Sequence, residues 1–142
     1  MRLFLDANVL FTAAYSPQGV SRALMEAGRG RGDVLLTSHW AMAEAERNLL
    51  NKAPLALGAW PALRALLILV DEATAADIAR ARALPLVEKD APILAAAWAC
   101  AADMLVTGDV RDFGHLMEAG AHGLRVCTPR VALEGLGGPI HP

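Results

Sequence analysis

The stretch MRLFLDANVLF, residues 1–11, places two polar side chains inside an apolar run. Apolar residues flank Asp6 on both sides, as in a strand that is buried on both faces of a parallel sheet. Asp6 and Asn8 interrupt this pattern, and an unpaired carboxylate is costly to bury. Either the strand ends at Asp6, or this acid has a function that makes its burial tolerable.

Length and composition limit the class of protein. The chain has 142 residues, which fits one domain over residues 1–142, and its hydrophobic fraction of 55% with mean hydropathy +0.35 excludes disorder. The apolar runs at residues 65–70 and 93–102 are both too short to cross a bilayer. Asp6 and Asn8 break what would be the apolar part of a signal peptide. Cys100 and Cys127 lack metal-ligand spacing and indicate buried thiols. We therefore expect a cytoplasmic protein.

Short apolar segments alternate with helical segments along the chain. Strands are predicted at residues 3–6, 34–37, 104–107 and 124–127, and residues 66–70 fit either a third strand or the end of a helix. Helices are predicted at residues 21–28, 39–51, 74–83, 91–102 and 113–119, and a last one begins at Thr128-Pro129. Ser38 and Thr74 are expected N-caps. This alternation predicts an α/β fold with a parallel sheet covered on both faces.

Four acids fall at positions where such a fold places function. In open α/β sheets, functional residues gather outside the carboxyl ends of the strands. Asp6 ends the first strand, Asp109 lies two residues past the predicted strand at 104–107, and Glu44 lies in the second turn of the helix after the second strand. Spacing does not decide the position of Asp90. If Asp90 is the N-terminus of the helix that precedes the next strand, it lies toward the opposite edge of the sheet, unless the preceding helix and turn place it at the same edge as the other acids.

Converging carboxylates indicate a divalent cation. They repel one another, and some would protonate without a compensating charge. Mg²⁺ and Mn²⁺ prefer such hard oxygen ligands, whereas the sequence has no HxxxH or CxxC pair of the kind that binds zinc. With no candidate Ser, Cys or His nucleophile, an acid-only site favours water activated by a metal ion.

Four ordered segments together resemble the PIN domain. They are LFLDANVLF, TSHWAMAEAERNLL, EKDAPILAAAWACAADMLVTGDVRDF and RVCTPRVAL, and they cover about residues 3–133. The family's acidic positions are matched by Asp6, by Glu44 in EAERNL, and by Asp90 and Asp109 in the most specific block, with Asp112 as a variable further acid.

This resemblance implies both a fold and an activity. The fold would be a three-layer α/β/α sandwich with a five-stranded parallel sheet of order 3-2-1-4-5, in which Asp90 also reaches the acidic pocket. Family members are mostly Mg²⁺- or Mn²⁺-dependent ribonucleases, and many small ones are toxins of toxin–antitoxin pairs. We therefore expect an endoribonuclease with an RNA substrate, an antitoxin partner and no membrane association; a homodimer is a further option. The alternatives are a housekeeping PIN nuclease and a non-catalytic module that binds RNA or protein.

Each candidate acid also has an ordinary structural interpretation. Glu46 competes with Glu44 if the register of the resemblance is off by two residues. Asp90 could be an ordinary helix N-cap before Pro92. Asp109 and Asp112 could be an N-cap and its partner three residues later.

The supporting polar residues, the tryptophans and the charge balance leave further alternatives. Asn8 either orients Asp6 or closes a turn, and Thr107 either positions a water or phosphate or ends a strand. The three tryptophans, Trp40, Trp60 and Trp98, are expected in the core or at an interface rather than as platforms on which bases stack. Net charge is −2, but removing the four acids leaves 11 acidic against 13 basic residues. A mildly positive surface then remains for phosphates, with these candidate contacts: Arg29, Arg31, Arg47, Arg111 and Arg130.

Overall fold

The strands of the computed structural model, which describes residues 1–86 and 88–136, form one parallel sheet. Its order is β3-β2-β1-β4-β5. The strands are β1 (Arg2–Leu5), β2 (Val34–Ser38), β3 (Ile68–Val70), β4 (Met104–Val106) and β5 (Arg125–Cys127). The predicted α/β class and strand order are confirmed. The predicted domain, residues 1–142, includes residues 87 and 137–142, which lie outside the described residues.

Eight α-helices occur in the described part of the chain. They are α1 (Ala7–Tyr15), α2 (Val20–Arg31), α3 (His39–Lys52), α4 (Trp60–Arg64), α5 (Ala75–Arg82), α6 (Ala91–Ala99), α7 (Val110–Ala119) and α8 (Pro129–Gly135). The predicted caps are present, because the side-chain oxygens of Ser38, Thr74 and Thr128 each accept a hydrogen bond from a backbone N–H three residues on.

Helices cover both faces of the sheet. Leu3 pairs in register with Leu35 of β2 and Met104 of β4, so these side chains share one face. There α2 approaches so closely at Gly28 that an added Cβ would lie 3.1 Å from Leu35 Cδ2, and α8 packs on α2. A second pair consists of α5 and α6, which pack on each other, and α6 lies against β2 and β4. The result is a three-layer α/β/α arrangement around a core that contains most of β1.

The first helix, α1, is absent from the sequence-based prediction. Residues 7–11 continue the apolar run of β1, and this continuity favours a strand. In the structure the strand ends at Leu5, and Asp6 caps α1 by accepting the Ala7 N–H at 2.7 Å. The apolar residues of α1 are buried because this helix packs between α2 and α3. The first interpretation of Asp6 is therefore correct: the strand ends there, and the carboxylate caps the helix that follows.

In the described residues, every helix is too short or too polar to span a membrane. Both cysteines are unpaired: Cys127 is buried and Cys100 only partly so. Burial raises the pKa of both thiols above the usual value, so they are less reactive than exposed cysteines.

Candidate metal centre and active site

Asp6 is a buried carboxylate that accepts three hydrogen bonds. It lies between β1 and α1 and is 6% exposed. Its Oδ1 accepts the Ala7 N–H, and its Oδ2 accepts from Thr107 Oγ1 at 2.8 Å and from Asn8 Nδ2 at 3.2 Å. Burial raises the pKa of Asp6, the hydrogen bonds from Thr107 and Ala7 lower it, and repulsion from Glu44 and Asp109 raises it further.

Asn8 and Thr107 join the ends of two neighbouring strands. Asn8 Oδ1 accepts the Gly108 N–H at 2.7 Å, and its Nδ2 donates to Asp6 and to Thr107 Oγ1 at 3.2 Å. Thr107, which is fully buried, also accepts the Asp109 N–H at 3.1 Å. These bonds connect the β1–α1 junction to the β4–α7 junction, so they fix Asp6 relative to Asp109. The bond from Asn8 to Gly108 has no signal in the sequence.

Three further carboxylates meet at the same edge of the sheet. Asp90, Asp109 and Asp112 can each offer an oxygen such that the three atoms lie within 4.8 Å of one another. Asp109 Oδ1 also caps α7 by accepting the Asp112 N–H at 3.0 Å. The cap interpretation of this pair is thus correct, and it coexists with a place in the cluster, because one carboxylate has two oxygens.

Asp90 carries the clearest electrostatic perturbation. It is 8% exposed and precedes α6, but its side chain makes no capping bond, and its Oδ2 is buried without a hydrogen-bond partner among the described residues. Burial, then repulsion from Asp6, raises its pKa from 3.8 to about 7; Lys89 opposes this, while Asp109 and Asp112 add to it. The alternative of an ordinary N-cap is therefore wrong for Asp90.

The direction of α6 decides the position of Asp90, which spacing leaves open. A helix that feeds a parallel strand runs antiparallel to it, so α6 ends near the start of β4 and begins at the carboxyl edge. Asp90, at its beginning, therefore lies beside Asp109 rather than at the opposite edge.

Glu44 and Glu46 lie on opposite flanks of α3. Two residues correspond to a rotation of roughly 200° about a helix, so only one of them can face the acids. Glu44 is partly buried and near enough to Asp6 to raise its pKa. Glu46 accepts the Trp60 indole N–H at 2.8 Å and lies 3.5 Å from Arg64 Nε. The structure brings Glu44 to the acids and gives Glu46 a role in holding α4.

Only some of the candidate phosphate contacts share this edge. Arg29 and Arg31 lie at the end of α2, and Arg31 pairs with Asp33 at the start of β2, which is the opposite edge. Arg111 and Arg130 lie in the first turns of α7 and α8, and both are exposed. An open cleft of about 450 Å³ passes beside Asn8 and Asp109 between these helices and α1. Arg29 and Arg31 are therefore no longer candidates.

The free energy of unfolding of the metal-free protein should fall as pH rises from about 4 to 7. Asp90 keeps its proton in the folded protein up to about pH 7, whereas in the unfolded chain it ionises near pH 3.8. Between these values the folded state holds more protons, which costs at most about 1.4 kcal/mol of stability per pH unit. Urea unfolding in EDTA at several pH values between 4 and 7 measures the change in the free energy of unfolding with pH. In Asp90→Asn the slope should flatten; an unchanged slope would contradict this assignment.

Comparison with known proteins gives a family and a similar fold. The family model for the PIN domain matches residues 2–111. No curated protein sequence matches the chain. Among solved structures, the chain is similar to VapBC2 from Rickettsia felis bound to a DNA fragment from their promoter, with TM-score 0.67 and 16% identity over 90% of this chain and 98% of that chain. At that identity the likeness concerns the fold. With a family model matching most of its length, the chain belongs to the PIN-domain family.

Proposed function

We propose that this protein is a metal-dependent endoribonuclease that hydrolyses RNA phosphodiester bonds with a water nucleophile. One observation carries the proposal. Asp90 Oδ2 is buried without a partner, beside two carboxylates whose oxygens lie within 4.8 Å. A buried acceptor in a cluster of like charge is unfavourable in the apo protein and is satisfied by a cation.

The donor set fits Mg²⁺ or Mn²⁺. The proposed ligands are Asp6, Glu44, Asp90 and Asp109, with Asp112 as a further acid. The cluster consists of carboxylates alone, without His or Cys among the described residues that form it, and hard divalent cations prefer such oxygen ligands. When bound, such a cation lowers the pKa of a water molecule and stabilises negative charge on the phosphate oxygens.

Hydrogen bonds within the protein hold two of the proposed ligands, Asp6 and Asp109, in position. Thr107, Asn8 and the Ala7 N–H hold Asp6 in one rotamer, so little conformational entropy is lost when a ligand binds. Asp109 is fixed through its cap on α7 and its backbone bond to Thr107. Arg111 and Arg130 are exposed in the first turns of α7 and α8 and are proposed contacts for the RNA backbone.

Exchanging Glu44 and Glu46 for glutamine should separate the roles of these two acids. Glu44→Gln should lower RNA cleavage by more than about 100-fold, because even residues that only orient a metal ligand are worth 10- to 100-fold. It should leave the melting temperature of the metal-free protein unchanged or slightly higher, because it removes a charge that repels Asp6. Glu46→Gln should retain cleavage and lose at most about 1 kcal/mol through its exposed pair with Arg64. Single-turnover cleavage and thermal unfolding measure both. The reverse pattern would assign the site to Glu46.

We further propose that the protein is the cytoplasmic toxin of a toxin–antitoxin pair. Small single-domain PIN proteins are often such toxins, and the similar solved structure is a VapBC2 assembly. An apolar groove of about 500 Å³ lies between the end of α1, the end of α3 and the turn Pro54–Ala59, where Tyr15 is 60% and Leu55 99% exposed. An amphipathic antitoxin segment in this groove could follow α1, roughly 14 Å long, to the acids and present an Arg or Lys there.

Growth experiments test the toxin proposal. Induced expression of the protein alone should arrest a bacterial host, and co-expression with the gene upstream should relieve the arrest. Glu44→Gln, expressed to the same soluble level, should not arrest growth. Unimpaired growth with soluble wild-type protein would favour a housekeeping nuclease or a non-catalytic module, and a homodimer that covers the Tyr15–Leu55 groove would argue against an antitoxin there.

A further inference from the structure

Trp40 differs from the other two tryptophans in having an accessible ring. It is 52% exposed, whereas Trp60 is 5% exposed and Trp98 is partly buried. The indole N–H of Trp60 donates to Glu46 at 2.8 Å, and that of Trp98 donates to the Ala121 carbonyl at 2.7 Å. Across residues 1–86 and 88–136, the indole N–H of Trp40 has no partner; only its backbone N–H is bonded. The expectation of a core or interface role thus fits Trp60 and Trp98 but leaves Trp40 unexplained.

Trp40 lies at the rim of the acidic site. Helix α3 begins directly after β2, so Trp40, in its first turn, is at the carboxyl edge of the sheet. Its backbone N–H donates to Glu72 Oε2 at 3.3 Å, which fixes the start of the helix. Glu44 follows four residues later, one turn and roughly 6 Å along the same side of α3. Glu44 is near enough to Asp6 to raise its pKa, so Trp40 lies one helical turn from the acids on the Glu44 side of α3.

The surroundings of Trp40 suit a nucleobase better than a protein surface. The exposed residues of α3 nearest to Trp40 are His39, Ala43 and Arg47, and the exposed apolar Leu50 lies near the other end of the helix. Within α3 the Trp40 ring therefore has small and polar neighbours. A stable protein interface needs a wider apolar area. Arg47, three residues beyond Glu44, makes no ion pair with any described residue. An aromatic ring with a nearby cation is the combination with which proteins hold single-stranded nucleic acid.

We propose that Trp40 is the platform on which one nucleobase of single-stranded RNA stacks while the adjoining phosphodiester enters the acidic site. Arg47 contacts the RNA backbone beyond it. The negative Glu72, bound to the backbone N–H of Trp40, favours an uncharged base over a phosphate at this position. This inference rests on the proposed function and names its substrate class. Stacking tolerates any base, but in a duplex the faces of internal bases are already covered. Trp40 therefore selects for single strands rather than for a sequence.

Tryptophan fluorescence tests this proposal without requiring cleavage. All proteins in this experiment carry Asp109→Asn, which removes one charge from the cluster and keeps an oxygen for the α7 cap. A short single-stranded oligouridine should quench the fluorescence, and the quench should disappear in Trp40→Phe while binding persists, because phenylalanine still stacks. Trp40→Ala should weaken binding roughly 5- to 150-fold. A duplex RNA of the same length should bind the alanine variant and its parent equally.

The matched control is Leu50→Ala, which removes another exposed apolar side chain, 63% exposed, from the far end of α3. It should bind oligouridine like the parent. Equal binding by Trp40→Ala and Leu50→Ala, or a parent that does not bind oligouridine, would overturn the proposal. Dissociation of a dimer by Trp40→Ala in sedimentation, with RNA binding unchanged, would make Trp40 an interface between copies. If Trp40→Ala lowers binding although the wild type never cleaves RNA, the platform stands and the nuclease proposal fails.

Discussion

Asp90→Asn should abolish RNA cleavage and at the same time raise the melting temperature of the metal-free protein at neutral pH. The asparagine has nearly the same shape, but it removes a proposed ligand, for which we expect a loss of more than about 100-fold. It also removes a carboxylate whose Oδ2 is buried without a partner and whose pKa is raised to about 7 by burial and neighbouring acids. Opposite effects on activity and stability are typical of residues selected for function rather than for folding.

The control for this prediction is an acid outside the cluster. Glu118→Gln changes an exposed side chain on α7 and should leave both cleavage and melting temperature unchanged. Thermal unfolding in EDTA at pH 7.5 and single-turnover cleavage in Mg²⁺ measure the two effects. An Asp90→Asn protein that melts lower than wild type in EDTA and still cleaves would make Asp90 a structural acid. Asp6 is the less suitable position, because an amide there would direct Nδ2 at the Asn8 donor.

Adding Mg²⁺ or Mn²⁺ to the metal-free protein should raise its melting temperature. A ligand that binds only the folded state stabilises it by about 2.7 kcal/mol at a concentration 100 times its Kd, which is a shift of roughly 10 °C for a domain of this size. Relief of the repulsion among Asp6, Glu44, Asp90 and Asp109 is the physical cause. Thermal unfolding across a titration of each cation measures the effect.

This stabilisation should depend on the acids themselves. Asp109→Asn keeps a capping oxygen for α7 and should shift the titration to higher cation concentration. Glu118→Gln, again the control, should give the wild-type curve. A melting temperature that does not respond to either cation in the wild type would contradict a metal site, and an equal response in Asp109→Asn would place the cation elsewhere.

Most of the fold could be predicted from the sequence, because its strands and helix caps depend on local patterns of residues. Ser38, Thr74 and Thr128 cap helices as their positions predict, and the short apolar strands fall where the alternation puts them. Helix α1 could not be predicted in this way, because its apolar residues continue the pattern of β1 and are buried on several sides. In that segment tertiary packing, not periodicity, decides between strand and helix.

The site was predictable to the extent that it follows from strand ends. Asp6 and Asp109 lie where two adjacent strands finish, and the resemblance added Glu44, Asp90 and Asp112. The sequence could not decide between Glu44 and Glu46, because the decision rests on the hydrogen bond from Trp60 to Glu46, and these two residues are 14 positions apart in sequence. The bond between Asn8 and Gly108 spans 100 residues and leaves no local pattern. The exposure of Trp40 depends in the same way on how α3 is placed.

RNA cleavage by the purified protein under control of divalent cations tests the central claim most directly. A mixed pool of single-stranded RNA should be cut in Mg²⁺ or Mn²⁺, should remain intact in EDTA, and should be cut again when excess cation is restored. Glu44→Gln, prepared in parallel, should leave the RNA intact in every buffer and so exclude a contaminating nuclease. Cleavage that EDTA does not diminish, or that Glu44→Gln retains in full, would contradict an acidic metal centre as the catalytic site.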